Sequence, residues 1–256
     1  MTSDFYEGLK RSTFDTVQKT ISDIKENKVV QVKVDSKAAT RQSIILNIRT
    51  AGIDFKTRSN WDAKEARSSD GPDWDYHGIA LHHAGNSFSC SANGVDQIRK
   101  AEKTDIDKFG HVSYHYAIDC EGTIFEALDI REKGAHISRG NTGVIGIVLL
   151  SDLTERGETY TQGYSKKTFF SKLKGIKDWG PDQVYFNHDT PSSAQVNALE
   201  MLVVTLSLFF PIKMIGGHRE YQKLSNGAGR ACPGNYGMEL VYRLRSLTKK
   251  SAPYNT

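Results

Sequence analysis

Among the histidines and cysteines of this chain, three sit at the edge of a local break in the pattern, and both residue types bind zinc. His82 closes the apolar run Gly78-Ile79-Ala80-Leu81, His218 follows Gly216-Gly217, and Cys232 opens Cys232-Pro233-Gly234. Two imidazoles and one thiolate supply three zinc ligands and leave the fourth tetrahedral position open to water. An open position marks a catalytic arrangement, because zinc lowers the pKa of its bound water to roughly 7. The chemistry expected of these residues is therefore zinc-dependent hydrolysis.

The elements that must position them read as α/β from about residue 54. Ile79–His83 is a short apolar strand, and Ala92–Lys103 carries Val95, Ile98 and Ala101 on one helical face. Tyr114–Asp119 and Thr123–Glu126 read as a hairpin turned at Cys120-Glu121-Gly122. Val144–Leu150, broken only by Gly146, has the continuous apolarity of a strand buried on both faces. Pro191-Ser192-Ser193 gives start signals for a helix over Ala194–Phe210. Ile212–Gly217 is a last strand leading into His218, and Met238–Leu247 a closing helix. Residues 152–191 are too long for an ordinary connector and read as an inserted surface loop.

Residues 1–50 look different and form an N-terminal extension ahead of a domain over 51–250. Phe5–Asn27 carries a helical pattern (Leu9, Phe14, Val17, Ile21, Ile24), Val29–Val34 alternates like a strand, and Ser43–Arg49 is a short apolar element. The segment offers no chemistry, and wrapping around the main domain is favoured over a separate module.

Composition excludes several classes. No apolar stretch reaches the ~20 residues of a membrane span, and the N-terminus has no basic segment followed by an apolar one, so no secretory signal is expected. The 34 Lys+Arg against 30 Asp+Glu give a net charge of +4, which permits an anionic polymer as partner without requiring one. No lysine–arginine stripe with interleaved aromatics points to nucleic acid. With Cys232 assigned to metal, Cys90 and Cys120 remain, and without a signal peptide reduced thiols are favoured over a bridge.

Several blocks follow one another in the order of a known family: His82-His83-Ala84-Gly85, Gly110–Asp119, Glu121–Glu126, Ala135–Asn141, Gly146–Asp152, Gly217-His218-Arg219-Glu220 and Cys232-Pro233-Gly234. With the approach segment Thr57–Lys64, this series resembles the zinc-dependent N-acetylmuramoyl-L-alanine amidases, which share a fold with peptidoglycan recognition proteins and amidase-type phage lysozymes. The resemblance covers roughly Phe55–Leu247. It implies a central mixed β-sheet flanked by helices, with Zn2+ in a surface groove that holds the glycan strand and stem peptide of peptidoglycan. The implied reaction is cleavage of the amide between N-acetylmuramic acid and L-alanine by a zinc-activated water. Mapped onto this sequence, the metal ligands are His82, His218 and Cys232. His82 and His83 point to opposite faces of one strand, so only one can bind, and the resemblance selects His82. Tyr114 matches a tyrosine near the zinc-bound water, while His136 and Asn141 match groove positions that hold substrate.

Tyr114 and Arg230 are the candidates for stabilising the developing oxyanion. Phage members usually carry lysine at the Arg230 position. Arginine keeps the charge but makes a poor proton shuttle, so any general-acid role there is in doubt. The 14-residue step from His218 to Cys232 is longer than in many relatives, and Leu224–Gly229 reads as a flexible addition beside the site. Animal recognition proteins place a second cysteine about six residues after the equivalent of Cys90. Asp96 stands there, which favours a bacterial or phage relative.

Two other readings compete. A zinc-free recognition module would bind peptidoglycan without cutting it, but such members generally lose a ligand, usually the cysteine. A zinc peptidase would cut within the stem peptide instead. Made in the cytoplasm without a signal, the protein would reach the cell wall or periplasm by non-classical export or lysis. A lytic effector or endolysin fits that route, with secretion machinery or an immunity protein as partners.

Overall fold

The apolar run at 144–149 forms a strand whose six residues are all buried, with a parallel neighbour on each side. This is the computed structural model of the chain. It describes residues 18–22, 29–33, 35–85, 87–155, 158, 189–226 and 231–254. The strands are β1 (Gln18–Ser22), β2 (Val29–Lys33), β3 (Phe55–Lys56), β4 (Gly78–His83), β5 (Tyr116–Ile118), β6 (Ile124–Glu126), β7 (Val144–Leu149) and β8 (Met214–Gly217). The helices are α1 (Ser36–Thr50), α2 (Gly94–Phe109), α3 (Ser193–Phe209), α4 (His218–Asn226) and α5 (Asn235–Thr248). Strands β3 to β8 form one sheet in the order β3-β6-β5-β7-β4-β8. Only the β5–β6 hairpin is antiparallel, so the sheet is mixed, as expected.

Helices cover both faces. On one side, residues of α1, α3 and α5, including Ile48, Leu202 and Val241, pack on Ile79, Leu81, Ile145 and Ile147. On the other, Trp61 and Ile98 pack on Ala117, Phe125 and Val148. The strands alternate accordingly. Ile79 and Leu81 face the larger helical layer, while Ala80 and His82 face away from it, toward the site.

The helix starts follow local chemistry. The Asn93 side chain accepts from the Val95 and Asp96 N–H groups at the head of α2, and Ser192 accepts from Gln195 N–H at the head of α3. The expected elements from Ile79 to Leu247 are all present, with ends shifted by a few residues; α2, for instance, runs on to Phe109.

Three expectations are corrected. The helix expected over Phe5–Asn27 fails at 18–22, which is β1, paired antiparallel with β2; its remaining residues lie outside those described. The strand at 29–33 needs a partner for its backbone groups, and that need outweighs a weak helical spacing. The short apolar element at Ser43–Arg49 is the second half of α1, begun by Asp35, which accepts from Lys37 and Ala38 N–H. Leu224–Asn226 is the last turn of α4 rather than flexible chain, and 227–230 lie outside the described residues.

The 1–50 extension is thus continuous with the main core at its end. Ile44, Ile45 and Ile48 are fully buried, each stabilising by roughly 1.5–3 kcal/mol. Arg41 pairs with the buried Glu126 carboxylate on β6. Of the 152–191 insertion, only 152–155, 158 and 189–191 are described.

Candidate metal centre

Strand register brings the two histidines together. Leu81 of β4 lies opposite Gly217 of β8, so the next residues, His82 and His218, emerge side by side at the carboxyl ends of parallel strands. Their ring centroids are 4.5 Å apart. Cys232 arrives from the turn before α5. Gly234 holds that turn with φ 81°, and a Cβ there would lie 2.0 Å from the Leu153 carbonyl oxygen, so only glycine lets the turn close.

One ligand atom from each of His82, His218 and Cys232 falls within 4.8 Å of the others, and Cys232 Sγ lies 3.7 Å from His82 Nδ1. Tetrahedral zinc with ordinary N and S bond lengths separates such atoms by about 3.3–3.6 Å. The three side chains therefore fit a zinc ion with little movement.

Hydrogen bonds fix which nitrogen each histidine presents. The Val144 carbonyl can only accept, so His136 carries its proton on Nε2, 3.2 Å away. Neutral His136 then accepts at Nδ1 from His82 Nε2–H, 3.1 Å away, leaving the bare Nδ1 of His82 aimed at Cys232. His218 repeats the device. Its Nε2 donates to Gln222 Oε1 at 3.2 Å, an oxygen that also accepts from Ser138 N–H, so His218 Nδ1 is the bare nitrogen. Burial, with His218, His136 and His83 adding to it, pushes the pKa of His82 far down and keeps it neutral as metal binding requires. Gly146 makes room for this relay, since a Cβ there would lie 2.6 Å from the His136 ring.

A groove of about 450 Å³ runs from His218 past Tyr114, His136, Arg139, Asn141 and Gln222. The Tyr114 ring sits 4.9 Å from the His82 ring and stacks on His136 at 6.2 Å. Asn141 Oδ1 accepts from the His136 and Ile137 N–H groups and closes the loop that carries His136. Arg230 lies outside the described residues. His83 points away and sits 3.4 Å from Asp152. His115 is buried among Tyr76, Gly146 and Glu132, and burial pushes its pKa down to about 4.

One cysteine expectation is overturned. Cys90 and Cys120 form a disulfide, with Cα atoms 5.3 Å apart, well inside the bridging range. The pair is 30 residues apart in sequence, and only the fold shows that the loop after β4 reaches the β5–β6 turn.

The model of the family described as N-acetylmuramoyl-L-alanine amidase matches residues 72–235. The chain belongs to this amidase family. It is 24% identical over 123 residues to peptidoglycan-recognition protein SC2 of Drosophila melanogaster, covering 47% of this chain and 67% of that one. Among solved structures it resembles Drosophila PGRP-LB, with TM-score 0.54, 16% identity, and 79% and 98% of the two chains covered. The N-acetylmuramoyl-L-alanine amidase LysC from Clostridium intestinale gives TM-score 0.52 at 14% identity, covering 77% and 98%. Recognition proteins and amidases thus share this fold, and the family relates the chain to peptidoglycan.

Beside the expected site residues of this amidase-family chain, the structure adds Gln222, Arg219 and Glu158. Gln222 stands four residues after His218, a relation visible in sequence only once 218–226 is known to be helical. Glu158 carries no sequence signal, because it reaches the site across 61 residues of chain.

Proposed function

We propose that this protein is a zinc-dependent N-acetylmuramoyl-L-alanine amidase that cleaves the bond between N-acetylmuramic acid and L-alanine of the stem peptide. The observation that carries the reading is the convergence of His82, His218 and Cys232, whose ligand atoms lie within 4.8 Å of one another, beside a groove of about 450 Å³. When bound, zinc supplies a Lewis acid that polarises an amide carbonyl and makes water nucleophilic near neutral pH. His136 and Gln222 hold the two imidazoles in the tautomers that ligation needs. Tyr114 donates its phenolic hydrogen to the oxyanion developing on the scissile carbonyl, and Arg230 adds positive charge there. Asn141 keeps the groove loop closed, and Lys108 and Arg139 on the groove wall offer cations to stem-peptide carboxylates.

Retention of all three ligands favours an enzyme over a recognition module. The fold alone does not decide, because it also serves proteins such as PGRP-LE, whose structure is a complex with tracheal cytotoxin, a monomeric diaminopimelic acid-type peptidoglycan. Among the described residues no helix is long and apolar enough to cross a membrane. The Cys90–Cys120 bridge suits an oxidising compartment, which supports action at the cell wall or periplasm. A lytic effector or endolysin is the role this fits.

Mass spectrometry of purified sacculi digested by native protein and by Cys232→Ala tests the reading. Stem peptides beginning at L-alanine, released by the native protein alone, are expected. Cuts elsewhere in the stem would replace the substrate assignment, and binding without cleavage would make the protein a recognition module.

A further inference from the structure

Arg219 stands next to a proposed ligand, yet its side chain turns away from the groove. One of its terminal nitrogens contacts both the Ala231 carbonyl and the Glu158 carboxylate, and the other donates to Asn235 Oδ1 at 3.1 Å. Its backbone N–H donates to the Cys232 carbonyl at 3.0 Å. A single residue therefore grips the turn on both sides of the Cys232 sulfur while being bonded directly to His218.

Glu158 completes the arrangement. Its carboxylate is almost fully buried, with 1% side-chain exposure, and accepts from Arg219, from Glu155 N–H at 3.0 Å and from Asn235 N–H at 2.8 Å. Asn235 begins α5, whose N-cap is Gly234 and has no side chain to cap it, so Glu158 fills that role from a distant part of the chain. Neither residue touches the groove, and neither is a metal ligand. A buried ion pair is costly unless its geometry and extra hydrogen bonds are satisfied, so holding one here calls for a positional reason.

We propose that Arg219 and Glu158 are positioning residues for the metal, a buried pair that sets the distance between the Cys232 thiolate and the two imidazoles. This rests on the proposed metal centre. Arginine suits the task because its planar fork can reach a carbonyl, a carboxylate and an amide together, which lysine cannot.

The test uses the full chain and reads Zn2+ affinity by competition with a chromophoric chelator, the thiolate-to-cobalt charge-transfer band of the Co2+ form, and melting of the metal-free protein. Arg219→Lys retains the ion pair and the fold. The double variant Arg219→Gln with Glu158→Gln removes both charges, so no uncompensated charge is buried, and the amide oxygen introduced at position 158 remains as an acceptor for the backbone N–H groups of Glu155 and Asn235. Both variants are expected to bind zinc about 10- to 100-fold more weakly, the range for residues that orient ligands, with an altered charge-transfer band. Folded variants that bind zinc as tightly as the native protein, with an unchanged band, would overturn the proposal while leaving the metal centre intact. A native chain that binds no zinc and shows no such band would remove both.

Discussion

Replacing His136 by phenylalanine separates two roles this residue could play. Its Nε2 is committed to the Val144 carbonyl and its Nδ1 to His82, so it acts in the structure as the group that keeps the His82 proton on Nε2. Phenylalanine keeps a ring in place but leaves the His82 Nε2–H, which is fully buried, without an acceptor. An unmade buried hydrogen bond costs roughly 1–3 kcal/mol of metal-free stability. His82 could then move its proton to Nδ1, and ligation would have to reverse that choice. Zinc affinity should fall by about 10- to 100-fold. Chelator competition measures the affinity, urea unfolding of the stripped protein the stability, and sacculus digestion at saturating zinc the activity. Native zinc affinity in His136→Phe, with cleavage lost, would refute this reasoning and assign His136 to the substrate instead.

Removing the Cys90–Cys120 bridge, by reductant or by Cys90→Ser with Cys120→Ser, should cost about 3–4 kcal/mol, from the chain-entropy cost of closing a loop of 30 residues; an unchanged urea midpoint would contradict it. His115, held near a pKa of about 4 by burial, should make the metal-free protein acid-sensitive. Below about pH 6.5 the unfolded chain takes up a proton that the folded state refuses until about pH 4, so stability is full above that window and falls by up to about 3 kcal/mol as pH drops through it. Urea midpoints at both ends of the window should differ less for His115→Gln, and equal differences would sink the idea. Gly146→Ala should push the His136 ring aside, because its Cβ would lie 2.6 Å from that ring, and weaken zinc by about tenfold; chelator competition would show it.

How much of this could be read beforehand depended on distance along the chain. The strand at 144–149 and the helix at 193–209 announce themselves through apolar runs and capping residues that act within a few positions. The three residues of the candidate metal centre could be picked out because each sits in its own short block, and the structure brings them together. The approach of Cys90 to Cys120 was not, nor was the reach of Glu158 to Arg219, since both are products of chain crossing and leave no periodic trace. The error at 18–22 is of the same kind: a helical spacing of apolar residues says nothing of the β2 strand waiting for a partner.

The placement of the site follows from the sheet rather than from the loops around it. β4 is flanked by β7 and β8, all parallel, and such sheets bind ligands at the carboxyl ends of their strands. His82 and His218 stand at those ends by strand register, so a one-residue slip of β8 against β4 would turn His218 to the wrong face. Cys232 has no such guarantee, because it rides on a turn. That asymmetry fits the polar contacts at this turn: the Arg219 fork, the Glu158 carboxylate and Gly234 all restrain Cys232, the third proposed ligand, whereas His82 and His218 need only a tautomer-setting partner each. Perturbing the turn should therefore change metal affinity before stability, and perturbing the β4–β8 register should abolish folding first.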